Sequence, residues 1–143
     1  MEKRETSEKN FRVLALKYRP RRFSELVGQE ALVKTLTNSF LANRIAHAFL
    51  LNGVRGVGKT STARVIAKAL NCLNKKVDEA EPCINCENCL SIQSGRNVDV
   101  IEMDGASKTG VNDVREIIDS VYYRAASSKF KVYIIDEVHM LSN

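Results

Sequence analysis

The chain has 143 residues and a formal net charge of +5; 44% of the residues are hydrophobic and 27% are charged, with 7 Gly and 2 Pro. This length suits one domain with its own core, and the composition excludes a fibrous repeat or a low-complexity polymer. The longest uncharged apolar run, residues 45–54, is much shorter than the roughly 20 residues of a membrane-spanning helix. No apolar stretch follows the charged N-terminus, so no secretory signal is expected and we predict a cytoplasmic protein without membrane contact.

The positive charge is concentrated at the N-terminus. Residues 1–22 contain eight basic and three acidic side chains, which accounts for the whole net charge of +5. Clustered Lys and Arg attract polyanions, so this segment suits the phosphates of a nucleotide or of a nucleic acid. A solvated, frayed terminus explains the same pattern. We predict a disordered basic arm over residues 1–13 and a domain over residues 14–143.

The first half of the domain shows one strand pattern between two helix patterns. Residues 14–29 contain Arg19-Pro20, and a proline restricts the preceding residue to extended conformations, so we predict an extended strap. Apolar residues on one helical face predict a surface helix over residues 30–41. A short apolar run predicts a strand over residues 46–51, and the absence of breakers predicts a helix over residues 60–70.

The second half repeats this alternation. We predict a strand over residues 98–103 and an amphipathic helix over residues 114–122, where apolar residues recur every three or four positions. The β-branched and aromatic run at residues 130–135 predicts a fully buried strand that ends at Asp136 and Glu137. Strands that alternate with helices indicate an α/β fold with a parallel sheet flanked by helices.

A glycine-rich segment between the first strand and its helix matches the phosphate-loop pattern G-x-x-x-x-G-K-[ST] at every fixed position. Glycines allow the backbone to wrap a phosphate with its N–H groups pointing inwards, and the following helix presents its positive N-terminal end to the same anion. Lys59 is predicted to bind the β- and γ-phosphates, and Thr60 to ligate Mg²⁺. The predicted phosphate-binding residues are Gly53, Val54, Arg55, Gly56, Val57, Gly58, Lys59 and Thr60.

Two adjacent carboxylates follow the last predicted strand. Asp136 is expected at the edge of the sheet, where a carboxylate can hold Mg²⁺ through water. Glu137 beside it is positioned to orient or deprotonate an attacking water. The pair therefore predicts hydrolysis of the bound nucleotide, with Lys59, Asp136 and Glu137 as the catalytic residues.

All four cysteines of the chain lie in a polar segment that interrupts the α/β alternation. Cys72, Cys83, Cys86 and Cys89 have the spacing C-x10-C-x2-C-x2-C. Such a set can surround one tetrahedral Zn²⁺, and a site filled by four sulfurs is closed and therefore structural. An iron–sulfur cluster and free thiols are the alternatives. We predict a zinc module inserted over residues 72–89.

Further segments accompany these motifs and carry a resemblance to a known family. Together with the phosphate loop and the cysteine insertion, these segments resemble the gamma/tau family of bacterial DNA polymerase III. That family comprises the AAA+ ATPase motors of the clamp loader. The resemblance extends from about Leu14 to the last residue. The segments are Tyr18-Arg19-Pro20, Phe23, Val27-Gly28-Gln29, Met103-Asp104-Gly105-Ala106-Ser107 and Ile135-Asp136-Glu137-Val138-His139-Met140-Leu141.

The resemblance implies a P-loop (AAA+) fold and an ATP site. It places nucleotide contacts in the strap at residues 18–28, phosphates at residues 53–60, Mg²⁺ at Thr60 and Asp136, and the hydrolytic water at Glu137. It also implies the zinc module and a hetero-oligomeric clamp loader that loads the sliding clamp on primed DNA. The implied partners are other clamp-loader subunits, the sliding clamp and, through the assembly, primer–template DNA.

The family continues beyond the Asp-Glu strand with a sensor strand, a Ser-Arg-Cys element, a helical lid and an oligomerisation collar, which this sequence does not contain. In the AAA+ strand order, the sensor strand lies between the strand before the phosphate loop and the strand that ends at Asp136. Those two strands are therefore expected not to pair with each other. We expect the sequence to be the N-terminal part of a motor subunit, with poor folding and slow ATP hydrolysis by itself.

Two other functions compete with the motor interpretation. The first is a non-hydrolysing structural or zinc-mediated interaction subunit of the same assembly, although such subunits tend to lose the phosphate-loop lysine that is present here as Lys59. The second is another AAA+ machine, such as a branch-migration helicase, which the cysteine insertion disfavours.

Overall fold

A computed structural model describes residues 13–107 and 110–141. The predicted basic arm lies, apart from Val13, outside this part of the chain. None of the helices in the described part has the length and apolar character needed to cross a membrane. The helices and strands are α1 (Leu14–Lys17), α2 (Glu30–Leu41), α3 (Lys59–Asn71), α4 (Glu87–Gln93), β1 (Val100–Asp104), α5 (Val111–Val121) and β2 (Val132–Asp136), with 3₁₀ turns at Phe23–Glu25 and Val138–Met140.

The two strands form a parallel sheet. Their register runs from Val100 opposite Val132 to Asp104 opposite Asp136. The carboxyl ends of both strands therefore meet at one edge, which is where ligands bind in open parallel sheets. The prediction of an α/β fold with a parallel sheet and flanking helices is confirmed at this level.

The apolar core consists of two clusters that share helix α3. The first joins α3 to the predicted strap and to α2, and it contains Phe23, Leu36, Phe40 and Val65. The second joins α3 to α4 and β2 through Ala67, Ile92 and Ile134. Helix α3 thus packs against the strap and α2 as well as against the sheet and α4.

The predicted strand at residues 46–51 is wrong. The structure assigns no strand there, and residues 46–50 are exposed, with Leu50 84% exposed. A strand exists only through backbone hydrogen bonds to a neighbour, and within the described residues this segment has no such partner. Its apolar sequence is therefore not sufficient to make it a strand.

Two further expectations need correction. Strand β2 is not fully buried: Ile134 packs against α3 and is 7% exposed, whereas Ile135 on the other face is 37% exposed. Ile118 on α5 is also exposed. The strap is not extended throughout, because it contains α1 and the 3₁₀ turn at Phe23–Glu25.

A buried carboxylate closes the connection between α5 and β2. Asp99 is 2% exposed, and its oxygens accept hydrogen bonds from the backbone N–H groups of Ala126 (2.6 Å), Ser127 (2.8 Å) and Ser128 (2.7 Å). Burial alone raises the pKa of this carboxyl, but the three backbone donors outweigh it and hold the pKa well below its usual range. Asp99 is therefore ionised in the fold and fixes the loop that leads into β2.

Replacement of Asp99 by Asn is expected to lower the free energy of unfolding by about 1–3 kcal/mol, because an amide leaves buried N–H donors without an acceptor. Since folding depresses the pKa of Asp99, its contribution is present above the unfolded pKa of about 4 and is lost as the pH falls through the lower folded pKa. Urea denaturation at neutral and acidic pH measures both effects. Asp119→Asn, on the exposed side of α5, is the control and is expected to change stability little.

Candidate functional site

The phosphate-loop motif forms an exposed loop that leads directly into α3. Gly56 and Gly58 have φ values of +84° and +98°, which are left-handed conformations that favour glycine. Nothing lies within 4 Å of a Cβ added at either position, so backbone conformation rather than space requires glycine there. Gly58 is the N-cap of α3, which places the free N–H groups of the first helical turn next to the loop.

Lys59 is folded back onto the loop that precedes it. Its Nζ donates hydrogen bonds to the carbonyl oxygens of Gly53 (2.8 Å) and Val54 (3.1 Å). Phosphate oxygens accept stronger hydrogen bonds from an ammonium group than neutral carbonyl oxygens do. The lysine is thus held at the loop by contacts that a phosphate can replace.

The two halves of the predicted site meet through their side chains. Thr60 Oγ1, on the first turn of α3, donates a hydrogen bond of 2.6 Å to Asp136 Oδ2, at the end of β2. The two residues are 76 positions apart in the sequence. A hydroxyl and a carboxylate that lie next to each other offer the oxygen ligands that Mg²⁺ prefers. These two residues are therefore suited to bind a hard divalent cation.

Glu137 follows in an unusual backbone conformation that is fixed by a neighbouring glycine. Its φ is +49°, and its exposed carboxylate lies 3.5 Å from His139 Nε2. Gly105, after β1, donates its N–H to the carbonyl oxygen of Asp136 (2.8 Å), and a Cβ at residue 105 would lie 2.7 Å from the carbonyl oxygen of Glu137. Glycine at position 105 therefore permits the close approach that sets Asp136 and Glu137.

Gln29, the last residue of the predicted strap, lies one position beyond residues 18–28, where the resemblance implies nucleotide contacts. Its Nε2 donates a hydrogen bond of 2.9 Å to the carbonyl oxygen of Val57 in the phosphate loop. The end of the strap therefore lies beside the phosphate loop. The resemblance includes this glutamine in the segment Val27-Gly28-Gln29, but no local pattern reveals the contact, because it joins residues 28 positions apart.

The four cysteines come together as predicted. Cys72 follows α3, Cys86 is the N-cap of α4, and all four sulfurs lie within 4.8 Å of one another. Four sulfurs around a tetrahedral zinc ion are about 3.8 Å apart, given Zn–S distances of about 2.3 Å. Backbone N–H groups also point at the sulfurs, with Cys86 N 3.2 Å from Cys83 Sγ and Cys83 N 3.3 Å from Cys72 Sγ. The cluster can therefore hold a metal ion and is compatible with zinc.

The thiols of the cluster differ in acidity. Burial raises the pKa of Cys72 and of Cys89. Burial also raises that of Cys83, but hydrogen bonds from the backbone of Asn85 and Cys86 and from the Cys72 and Cys86 side chains outweigh it and lower the pKa to about 6. A metal ion that binds all four sulfurs must therefore displace protons from the least acidic thiols.

Comparison with known proteins identifies the family. A family profile described as DNA polymerase III, delta subunit, matches residues 28–143. The chain belongs to this family. Its relatives include the DNA polymerase III subunit tau/gamma of Haemophilus influenzae (51% identical), subunit tau of Escherichia coli (52%) and subunit gamma of Buchnera aphidicola subsp. Acyrthosiphon pisum (50%), each over 93% of this chain.

These relatives confirm the resemblance to the gamma/tau family that the sequence motifs indicate. The chain spans only part of their length: 19% of the H. influenzae subunit, 20% of the E. coli subunit and 36% of the Buchnera subunit. The part of this chain that the family profile matches, residues 28–143, contains the phosphate-loop motif, the four cysteines and the Asp-Glu pair.

We expect one zinc ion per chain, bound more weakly as the pH falls because protons compete for the thiolates. Elemental analysis of the purified protein and titration with a chromogenic chelator measure content and affinity. Replacement of Cys89 by Ser is expected to reduce the zinc content to well below one per chain, whereas Ser91→Ala on the same helix is expected to leave it unchanged. Iron in place of zinc, with visible absorption, would contradict this expectation.

Proposed function

We propose that the chain is the nucleotide-binding part of an ATP-hydrolysing motor subunit of the DNA polymerase III clamp loader, with a P-loop AAA+ fold and a cytoplasmic location. The observation that carries the proposal is the 2.6 Å contact between Thr60 Oγ1 and Asp136 Oδ2. It joins the last residue of the phosphate-loop motif to the first residue of the Asp-Glu pair, as a shared Mg²⁺ site requires.

In this proposal the phosphate loop at residues 53–60 binds the triphosphate of ATP. Backbone N–H groups of the loop and of the first turn of α3 hold the phosphate oxygens, and Lys59 exchanges its two carbonyl contacts for phosphate oxygens. The strap at residues 18–28, which lies beside the loop through Gln29, contacts the nucleoside part. The preference for ATP over GTP is inferred from the resemblance to the gamma/tau family.

Thr60 and Asp136 are the proposed Mg²⁺ residues, and the bound ion would neutralise charge on the phosphates. Glu137 is the proposed general base, since an exposed carboxylate at the end of β2 can accept a proton from water. Asp136 accepts hydrogen bonds from Thr60 and from the N–H of Glu137, so it is less suited to take that proton. This division gives metal binding to Asp136 and proton transfer to Glu137.

The proposed zinc ion, held by Cys72, Cys83, Cys86 and Cys89, has a structural role. The proposed partners are other clamp-loader subunits, the sliding clamp and primer–template DNA, reached through the hetero-oligomeric assembly. ATP binding would organise the assembly around the clamp, and hydrolysis on primed DNA would release it.

Replacement of Lys59 by Ala is expected to abolish measurable ATP binding and to slow hydrolysis on the order of a hundredfold, because the triphosphate loses its positive partner. Calorimetric titration of the full chain with ATP and Mg²⁺ measures binding. Lys34→Ala, an exposed lysine on α2, is the matched control. Unchanged ATP affinity in the Lys59 variant would show that the loop is not used.

Replacement of Glu137 by Gln is expected to leave ATP binding within about twofold of the unmodified protein and to slow hydrolysis by roughly 10²–10⁴-fold, since Gln cannot accept the proton. Steady-state phosphate release in the assembled clamp loader provides the measurement. Glu116→Gln on α5 is the control. Equal hydrolysis by the Glu137 variant and the unmodified protein would contradict the role of Glu137 as general base.

A further inference from the structure

The cysteine insertion contacts the strap through one carboxylate. Glu81 lies two residues before Cys83 in the sequence, and its Oε2 accepts a hydrogen bond from Phe23 N (2.9 Å), while its Oε1 accepts one from Ser24 N (2.8 Å). These are the first N–H groups of the 3₁₀ turn at Phe23–Glu25. Such groups have no partner within their own turn. Glu81 therefore caps this turn from a segment 57 to 58 residues away.

The position of Glu81 is fixed on both sides along the chain. Ala80 is buried in the same apolar cluster as Phe23. Pro82 is fully buried, and Cys83, one of the four clustered cysteines, comes next. The carboxylate thus extends from a short segment that is anchored in the core at one end and in the metal-binding cluster at the other.

A second contact ties the strap to α3 and, through the same lysine, to the end of α4. Lys68 on α3 is 1% exposed, and its Nζ donates to the carbonyl oxygen of Arg21 (2.9 Å) and to Gln93 Oε1 (2.8 Å). Gln93 ends α4, the helix that carries Cys89. Arg21 is therefore held by Lys68 of α3, and Phe23 and Ser24 are held by Glu81 of the cysteine insertion.

The far end of the strap lies at the phosphate loop, where Gln29 donates to the carbonyl oxygen of Val57. The strap thus spans the distance between the metal-binding module and the nucleotide site. A segment held at residues 21–24 has fewer conformations to lose when it closes on a ligand. Loss of the Glu81 contacts would restore that freedom and weaken binding of the part of the ligand that the strap touches.

We propose that Glu81 is a positioning residue of the nucleotide site, through which the cysteine module holds the strap in its binding conformation and couples metal binding to nucleotide binding. The proposal rests on the proposed function, in which the strap contacts the nucleoside and the loop contacts the phosphates. Coupling of this kind is reciprocal, so the nucleotide also strengthens retention of the metal.

The test compares Glu81→Ala with Glu79→Ala in the full chain loaded with zinc. Glu79 is in the same segment but is exposed and pairs only with Lys76, at 3.2 Å, among the described residues. In Glu81→Ala the backbone amides of Phe23 and Ser24 are expected to exchange hydrogen faster. The ATP affinity is expected to fall roughly tenfold, because the strap loses two charge-assisted hydrogen bonds that hold it. Affinity for inorganic tripolyphosphate, which reaches only the loop, is expected to change less than about twofold.

The conservative variant Glu81→Gln retains one carbonyl oxygen and is expected to give an intermediate ATP affinity. For the reciprocal effect, the rate of zinc transfer to a chromogenic chelator is measured with and without ATP. ATP is expected to slow the transfer in the unmodified protein and in Glu79→Ala, and to slow it less in Glu81→Ala.

Several results would overturn the proposal. One is a Glu81→Ala protein with faster exchange at Phe23 and Ser24 but unchanged ATP affinity; another is an equal loss of ATP and tripolyphosphate binding, which indicates a general structural defect. A zinc-transfer rate that ATP does not change in the unmodified protein would exclude the coupling. Failure of the proposed function itself is distinguishable, because the unmodified protein would then not bind ATP, and both proposals would fall.

Discussion

Burial of helix α3 is the constraint on which both candidate sites depend. Eight of its thirteen residues are buried, and it contributes to both apolar clusters. Packing therefore fixes the orientation of this helix relative to the strap and the sheet. Lys59 and Thr60 form its first turn, and Cys72 follows its last residue. A single helix of about 20 Å therefore sets the phosphate-loop motif and the cysteine cluster at a fixed separation.

The features that the sequence predicts well are those with a local signal. The phosphate loop is fixed by glycines at positions 56 and 58, where the backbone needs left-handed conformations, and by the helix that follows. The cysteines were predictable as a cluster because three of them are separated by only two residues, and a closed four-sulfur site needs no distant partner. The periodicity of α2 likewise predicts its bounds, because one face of this helix packs on a continuous apolar surface.

The features that escape sequence analysis are polar contacts between distant segments. Asp99, Glu81 and Gln29 each bind backbone groups more than 25 residues away, and an isolated acid or amide carries no signal of such a partner. The expected strand at residues 46–51 failed for a related reason, since pairing depends on a neighbour rather than on apolar content. The burial of β2 was overestimated because an apolar strand pattern does not reveal whether both faces of the strand are covered: Ile134 is 7% exposed and Ile135 is 37% exposed.

The junction between α3 and the sheet combines an apolar cluster with polar contacts. Ala67 of α3 lies in one cluster with Ile134 of β2. The polar contacts include the Thr60–Asp136 hydrogen bond and the paired contacts of Arg64 with Glu102 at 2.7 Å. Such contacts are directional but individually contribute little net stability. A ligand that binds both Thr60 and Asp136 would add to the stability of the junction, because it binds only the assembled form. In the proposed motor, this makes the alignment of Asp136 and Glu137 respond to the bound nucleotide.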